Sequence, residues 1–188
     1  MKRIIILLLV FSVLAWPMVS GAEDFRSAVW GAKPEQVEHD ERMLSLYHKS
    51  DNQLVFHGKV VGFPAAVYFH FSSSGLDHGT ILFLQKHVEA ERYMEDHAAV
   101  RKLLIEKYGN PSSNAETWSG TNAKTKTKQL AEALAKGQVN IVTGWKTDTS
   151  EIFLILGGKD GRISMRINYF SKDLYNFDVK REARPNEL

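Results

Sequence analysis

The stretch LVFHGKVVGFPAAVYFHFS, residues 54–72, decides the fold predicted for this chain. In its second half Val67, Phe69 and Phe71 alternate with Tyr68 and His70. A period of two is typical of a β-strand that buries one face and exposes the other. The segment Gly62–Pro64 separates this run from an earlier one over 54–61 and favours a turn. The stretch therefore predicts two antiparallel strands joined as a hairpin.

The same two-residue period continues on both sides of this hairpin. Between the last two strands, the segment Gly157–Gly161 predicts a hairpin loop. The further strands are expected at Leu44–Tyr47, Thr80–Gln85, Val139–Lys146, Glu151–Leu156 and Arg162–Phe170, with a short one at Thr117–Trp118.

Three segments change to a helical pattern. Pro34 suits the first turn of a helix, and Gly109 with Pro111 ends the longest of the three. In that long helix, apolar residues recur every three to four positions, which indicates one buried stripe. The helices are expected at about Pro34–Glu41, Val88–Tyr108 and Thr127–Lys136.

These elements predict an α+β fold. Short connections make the strands antiparallel, and the helices pack on one face of the sheet. The order of elements suggests tandem units, each a helix followed by four strands. We expect one domain over residues 23–188, with a polar tail at 180–188 that frays.

The first 22 residues have the pattern of a secretory signal peptide. Lys2 and Arg3 precede an apolar run over 4–16, and Ser20–Ala22 supplies small residues for cleavage. The run is shorter than the ~20 residues that cross a bilayer. We therefore expect a periplasmic or secreted protein that starts near Glu23, with no membrane span after cleavage.

Charge and composition restrict the partners of the mature chain. The chain has 24 basic and 22 acidic residues, and the signal holds two of the basic ones, so the mature chain carries no net charge. A neutral chain is not drawn as a whole to nucleic acid or to an anionic membrane. The chain has no cysteine, which excludes a disulfide and a thiol nucleophile.

The entry to the first helix is the stretch FRSAVWGAKPEQV, residues 25–37. Gly31 allows a change of direction, Pro34 begins the helix, and Phe25 with Trp30 would anchor the entry to the core. We expect Trp30 and Tyr108 both to be buried. This stretch docks a helix and carries no chemistry.

Two short motifs resemble known exported proteins. Phe25 with Trp30-Gly31, and the midpoint KYGNP at 107–111, resemble small exported bacterial proteins of uncharacterised function. The segment 31–37 is also distantly similar to a helix start in two families. They are the small lipoprotein of the outer-membrane β-barrel assembly machine and the β-lactamase inhibitor protein. The resemblance implies a non-catalytic α+β domain that binds another protein, and it identifies no functional residue.

The histidines are the oddest feature of the composition. All seven lie between residues 39 and 97, yet no two are closer than eight residues. Close spacing, such as i and i+4 on a helix, usually marks a metal site, so the pattern does not define one. His57 and His70 lie on neighbouring predicted strands, on one side, where they would approach each other across the ladder. Two ordinary half-exposed histidines are the favoured interpretation, because the spacing fixes no ligand geometry. His97 falls on the helix stripe, where a packed residue is expected.

Catalytic patterns are weak throughout the chain. Ser72–Ser74 with His70, Asp77 and His78 contain the letters of a hydrolase triad, but all lie around one turn. A triad requires a rigid scaffold and an oxyanion hole. We therefore expect no enzyme activity and no cofactor.

The predicted sheet face opposite the helices is the candidate binding surface. Aromatic residues and arginine are enriched at interface hot spots, and a solvated outer face is the alternative explanation. Tyr68, His70, His57 and Arg166 are the candidate binding residues. We expect an exported module that binds an envelope protein of unknown identity. The alternative is a periplasmic protein that binds a small ligand or a metal through its histidine-rich first half.

Overall fold

The computed structural model describes residues 23–118, 127–159 and 161–175. Within these ranges the chain forms one eight-stranded antiparallel sheet and three helices. The predicted α+β class and the antiparallel sheet are confirmed. The predicted signal peptide at 1–22 and the predicted tail at 180–188 lie outside the described residues.

The strands occupy the sheet in two consecutive blocks. The order across the sheet is β1-β2-β3-β4-β8-β7-β6-β5, so β4 and β8 join the two blocks at the centre. Every neighbouring pair is antiparallel. The strands are β1 Ser45–Ser50, β2 Gln53–Val60, β3 Phe63–Ser72, β4 Gly75–Phe83, β5 Ser113–Trp118, β6 Val139–Lys146, β7 Ser150–Lys159 and β8 Arg162–Ser171.

The three helices agree with their predicted positions. They are α1 Pro34–Asp40, α2 Ala90–Tyr108 and α3 Thr127–Ala135. Pro34 opens α1, and Gly109, with a positive φ of 79°, follows the last residue of α2. None of the helices in the described ranges is long and apolar enough to span a membrane.

The core lies between the helices and one face of the sheet. Alternation directs Phe56, Phe69 and Ile167 into this layer, where all three are buried. Val100 and Leu104 of α2 and buried residues of α1 and α3 belong to the same cluster. The opposite face, which we call the open face, carries the other half of each strand.

Two predicted turns are wrong in extent. The β2–β3 turn holds only Val61 and Gly62, both at positive φ, and Phe63 already pairs with Val60. Two residues at positive φ match the twist of a hairpin, so the strands pair up to the turn. Gly157 and Gly158 belong to β7, because Lys159 still pairs with Arg162. At Gly158 the backbone carbonyl of Leu134 in α3 occupies the space of a Cβ, so this glycine allows helix contact.

The fourth strand begins five residues earlier than predicted. The sequence predicts a strand that begins at Thr80, whereas β4 begins at Gly75. The N-terminal segment supports this start, because Gly31 donates to the carbonyl of Leu76 and Leu76 donates to that of Ala32. A partner distant in sequence thus extends the strand.

The predicted burial of Trp30 and Tyr108 is wrong. Both side chains are only partly buried at the margin of the core. Trp30 keeps its ring nitrogen bonded to Ser150 Oγ at 2.9 Å, which holds that edge near polar groups. Phe25 is the residue that anchors the N-terminal segment, because it is 1% exposed.

Candidate functional site

The open face is continuous across all eight strands, and it carries the four candidate residues. Alternation and register place Tyr68, His57 and His70 on it from β2 and β3, and Arg166 from β8. Tyr68 pairs with Thr80, which pairs with Asn168, two residues from Arg166. Because β4 joins β8 directly, residues from both halves of the chain share one surface.

A row of rings crosses the centre of this face. The row consists of Tyr68 and His70 on β3, His78 on β4 and Phe170 on β8, all half-buried. Successive ring centroids lie 6.2, 4.1 and 5.9 Å apart and the rings are close to parallel. Tyr175, just after β8, packs against the His78 and Phe170 rings at 4.9 and 4.5 Å. Such aromatic surface is typical of interface centres.

His57 and His70 do not lie near each other, and both are half-buried. Register pairs His57 with Ala66 and His70 with Gln53, so the two histidines lie four residues apart along the ladder. Four residues along a strand correspond to about 13 Å. His57 stacks on Tyr47 of the edge strand, with centroids 4.1 Å apart, whereas His70 stacks on His78.

The residues that resemble a hydrolase triad are engaged in local bonds. Ser72 Oγ donates to the carbonyl of Gly75 at 3.4 Å and accepts from the backbone N–H of Ser74 at 3.3 Å. The buried Asp77 carboxylate bonds to Nδ1 of His78. These contacts organise the β3–β4 hairpin, and this serine hydroxyl has no bond to a histidine ring in the described part of the chain.

The histidines do not converge on one point. Within the ranges that the structure covers, no three histidine, aspartate or glutamate side chains are arranged to hold a metal ion. His87 Nε2 and Gln85 Nε2 both bond to Asp96 Oδ2, at 2.7 and 3.0 Å, between the end of β4 and α2. This cluster fixes the β4–α2 connection on the side of the helices.

His97 is packed in the core, as predicted from the helix stripe. It is 7% exposed, and its Nε2 has no hydrogen-bond partner among the described residues. Burial of the ring, together with the smaller effect of the positive charge of Arg101, lowers the pKa of His97 to about 4. The ring is therefore neutral in the folded protein at neutral pH.

His97 predicts an acid-dependent loss of stability. The folded state favours the neutral ring. The stability that His97 contributes is therefore fully present above the unfolded pKa of 6.5 and is lost as pH falls towards the folded pKa of about 4. By pH 4 the loss reaches roughly 3 kcal/mol. Urea unfolding of the wild type and of His97→Leu should diverge over this window, with the wild type losing more. The control His39→Leu replaces an exposed histidine and should lose stability with falling pH as the wild type does. If the stability of His97→Leu falls with pH in parallel with that of the wild type, the prediction is wrong.

Positive charge is concentrated at one end of the open face. Lys59, Lys159, Arg162 and Arg166, which we call the basic patch, are all exposed there. Desolvation by neighbours lowers the pKa of Arg166, yet the side chain stays in contact with water and the guanidinium stays protonated. Among the ion pairs of the described residues, none includes a member of this patch.

Comparison with protein-family models, with curated proteins and with solved structures found no match for this chain. The site is therefore defined by its own geometry. Sequence reasoning missed His78 and Phe170 as members of the ring row. Phe170 lies four positions after Arg166 in the same strand, and residues an even number of positions apart face the same side of a sheet. Alternation alone would therefore have placed Phe170 on the open face.

Proposed function

We propose that this protein is an exported, non-catalytic module that binds another protein of the bacterial cell envelope through its open face. The observation that carries the proposal is that the ring row and Arg166 share one uninterrupted sheet surface. Tyrosine offers a large contact area at low entropic cost, and arginine offers a planar set of donors. The N-terminal sequence pattern supports export.

The proposal includes a repeated architecture. We infer that the two halves are tandem copies of one helix-plus-four-strand unit. Support comes from the two blocks of strands, which run β1 to β4 and then β8 to β5 across the sheet. Each block follows a helix, and α3 is an insertion in the second block. The resemblance to small exported bacterial proteins remains a prediction.

The binding role predicts a loss of partner in Tyr68→Ala/Arg166→Ala. If both residues are hot spots, each substitution weakens the complex by at least roughly 2 kcal/mol, because a desolvated contact at the interface centre is removed. The tagged protein is expressed with residues 1–22, recovered from the periplasmic fraction and used to capture partners from envelope extract. Circular dichroism and urea unfolding establish that the variant folds.

A matched control carries two substitutions on the opposite side, Arg92→Ala/Leu103→Ala in α2, where both side chains are exposed. The control should capture the same partner as the wild type. Equal capture by Tyr68→Ala/Arg166→Ala would refute the open face as the binding surface. Recovery of the protein only from the cytoplasm would refute export.

A further inference from the structure

The basic patch stands out because the mature chain as a whole is neutral. The predicted mature chain has equal numbers of basic and acidic residues, whereas this end of the open face exposes four cations. Asp160, between Lys159 and Arg162 in the sequence, offsets at most one of these charges. The open face also carries Glu151, but its carboxylate is paired with Lys146 at 2.8 Å. An excess of positive charge is therefore concentrated on the surface proposed for binding.

Apolar side chains flank Arg166 on the open face. Arg166 pairs across the ladder with Leu82 on β4 and Ile155 on β7, and Ile155 pairs in turn with Val142 on β6. These three apolar residues are partly exposed. The surface thus combines a strip of accessible apolar side chains, which includes Arg166, with the other three cations at its margin.

We infer that the partner of the open face is an acidic protein segment that carries apolar or aromatic side chains between its carboxylates. This inference rests on the proposed binding function and names the chemistry of the partner. Arg166 supplies planar donors for a carboxylate, and the apolar strip receives the side chains between the carboxylates.

The spacing of the cations favours a protein over a nucleic acid. Lys59 and Arg166 are separated by three strand gaps and by two residues along the ladder, or about 16 Å, and Arg162 lies about 13 Å along β8 from Arg166. Carboxylates four residues apart on an extended segment span about 13 Å. Duplex DNA instead carries a charge about every 1.7 Å, and four dispersed cations neutralise few phosphates.

The test uses a random copolymer of glutamate and tyrosine as the probe. Binding to the immobilised wild-type protein is measured by surface plasmon resonance at increasing NaCl concentrations. The charge-reversal variant Lys59→Glu/Arg166→Glu should bind at least about tenfold more weakly, equivalent to about 1.4 kcal/mol. Binding by the wild type should fall as salt rises, because exposed charges are screened.

A control variant changes the net charge equally on the side of the helices. Lys102→Glu/Lys136→Glu replaces two exposed lysines in and after the helices and should bind the copolymer like the wild type. Single-stranded DNA and phosphatidylglycerol vesicles should compete poorly. The inference is overturned if the wild type does not bind the copolymer or if reversal leaves binding unchanged. It is also overturned if the control loses as much binding, or if DNA or vesicles compete equally.

A capture experiment separates this inference from the proposed function. If the charge-reversal variant retains the envelope partner that Tyr68→Ala/Arg166→Ala loses, the open face binds a protein but the acidic chemistry is wrong. If every variant captures the same proteins as the wild type, the binding function itself is refuted. Loss of the partner by both variants, with retention by the control, supports both conclusions.

Discussion

Phe25→Ala should lower the free energy of unfolding by about 3–5 kcal/mol, the range for deleting a buried aromatic side chain. The ring is 1% exposed and contacts Phe69 and Tyr169 with centroids 4.9 and 5.0 Å away. It also lies parallel to the ring of Trp30. Alanine would leave a cavity where the N-terminal segment meets the centre of the sheet. Urea unfolding monitored by circular dichroism measures the change.

Gly79 gives this prediction a specific internal check. A Cβ at Gly79 on β4 would overlap three carbon atoms of the Phe25 ring, so the missing side chain provides the space for that ring. Gly79→Ala should cost about 1–3 kcal/mol, as expected for overpacking. In the Phe25→Ala background the same change should cost far less, because the ring is gone. The two substitutions should therefore be strongly non-additive.

The control for this pair is Val29→Ala, four residues from Phe25 and 39% exposed. It should change stability by no more than about 0.5 kcal/mol. Additive effects of Phe25→Ala and Gly79→Ala, or a cost below about 1 kcal/mol for Phe25→Ala alone, would show that this ring does not fill the space over Gly79.

Alternation predicted the faces of the sheet well. Tyr68 and Arg166 lie on the open face because their neighbours in sequence are buried, a relation that a period of two encodes directly. Helix ends followed from Pro34 and Gly109, whose backbone preferences act locally. These features depend only on residues adjacent in sequence.

Register and long-range pairing were not predictable in the same way. His57 and His70 lie on the same face of the sheet but are not paired across the ladder. The two-residue turn at Val61–Gly62 sets the register and therefore which residues pair. The start of β4 depends on backbone bonds from Gly31 and Ala32, more than forty positions away in the sequence. His78 was missed for the same reason, since it joins the ring row only when β4 begins before Thr80.

The buried ion pair between Arg26 and Glu41 is a further long-range contact of the N-terminal segment. Arg26 Nε donates to Glu41 Oε2 at 2.6 Å, and the Glu41 side chain is 2% exposed. Glu41 Oε1 also accepts the backbone N–H of Met43 at 3.1 Å. Arg26 adopts a φ of 56°, which is uncommon for a residue with a side chain. The pair thus joins the N-terminal segment to the end of α1.

Glu41→Ala should destabilise the protein by about 3–5 kcal/mol, because it leaves Arg26 partly buried without its counter-ion. Glu38→Ala is the matched control. It breaks the exposed pair with Lys49, also 2.6 Å long, and should cost no more than about 1 kcal/mol. Arg26→Met/Glu41→Leu removes both charges and should be less destabilised than Glu41→Ala, since no unpaired charge remains. Urea unfolding of the four proteins at neutral pH compares these effects. Equal costs for Glu41→Ala and Glu38→Ala would mean that burial adds nothing to the Arg26–Glu41 pair.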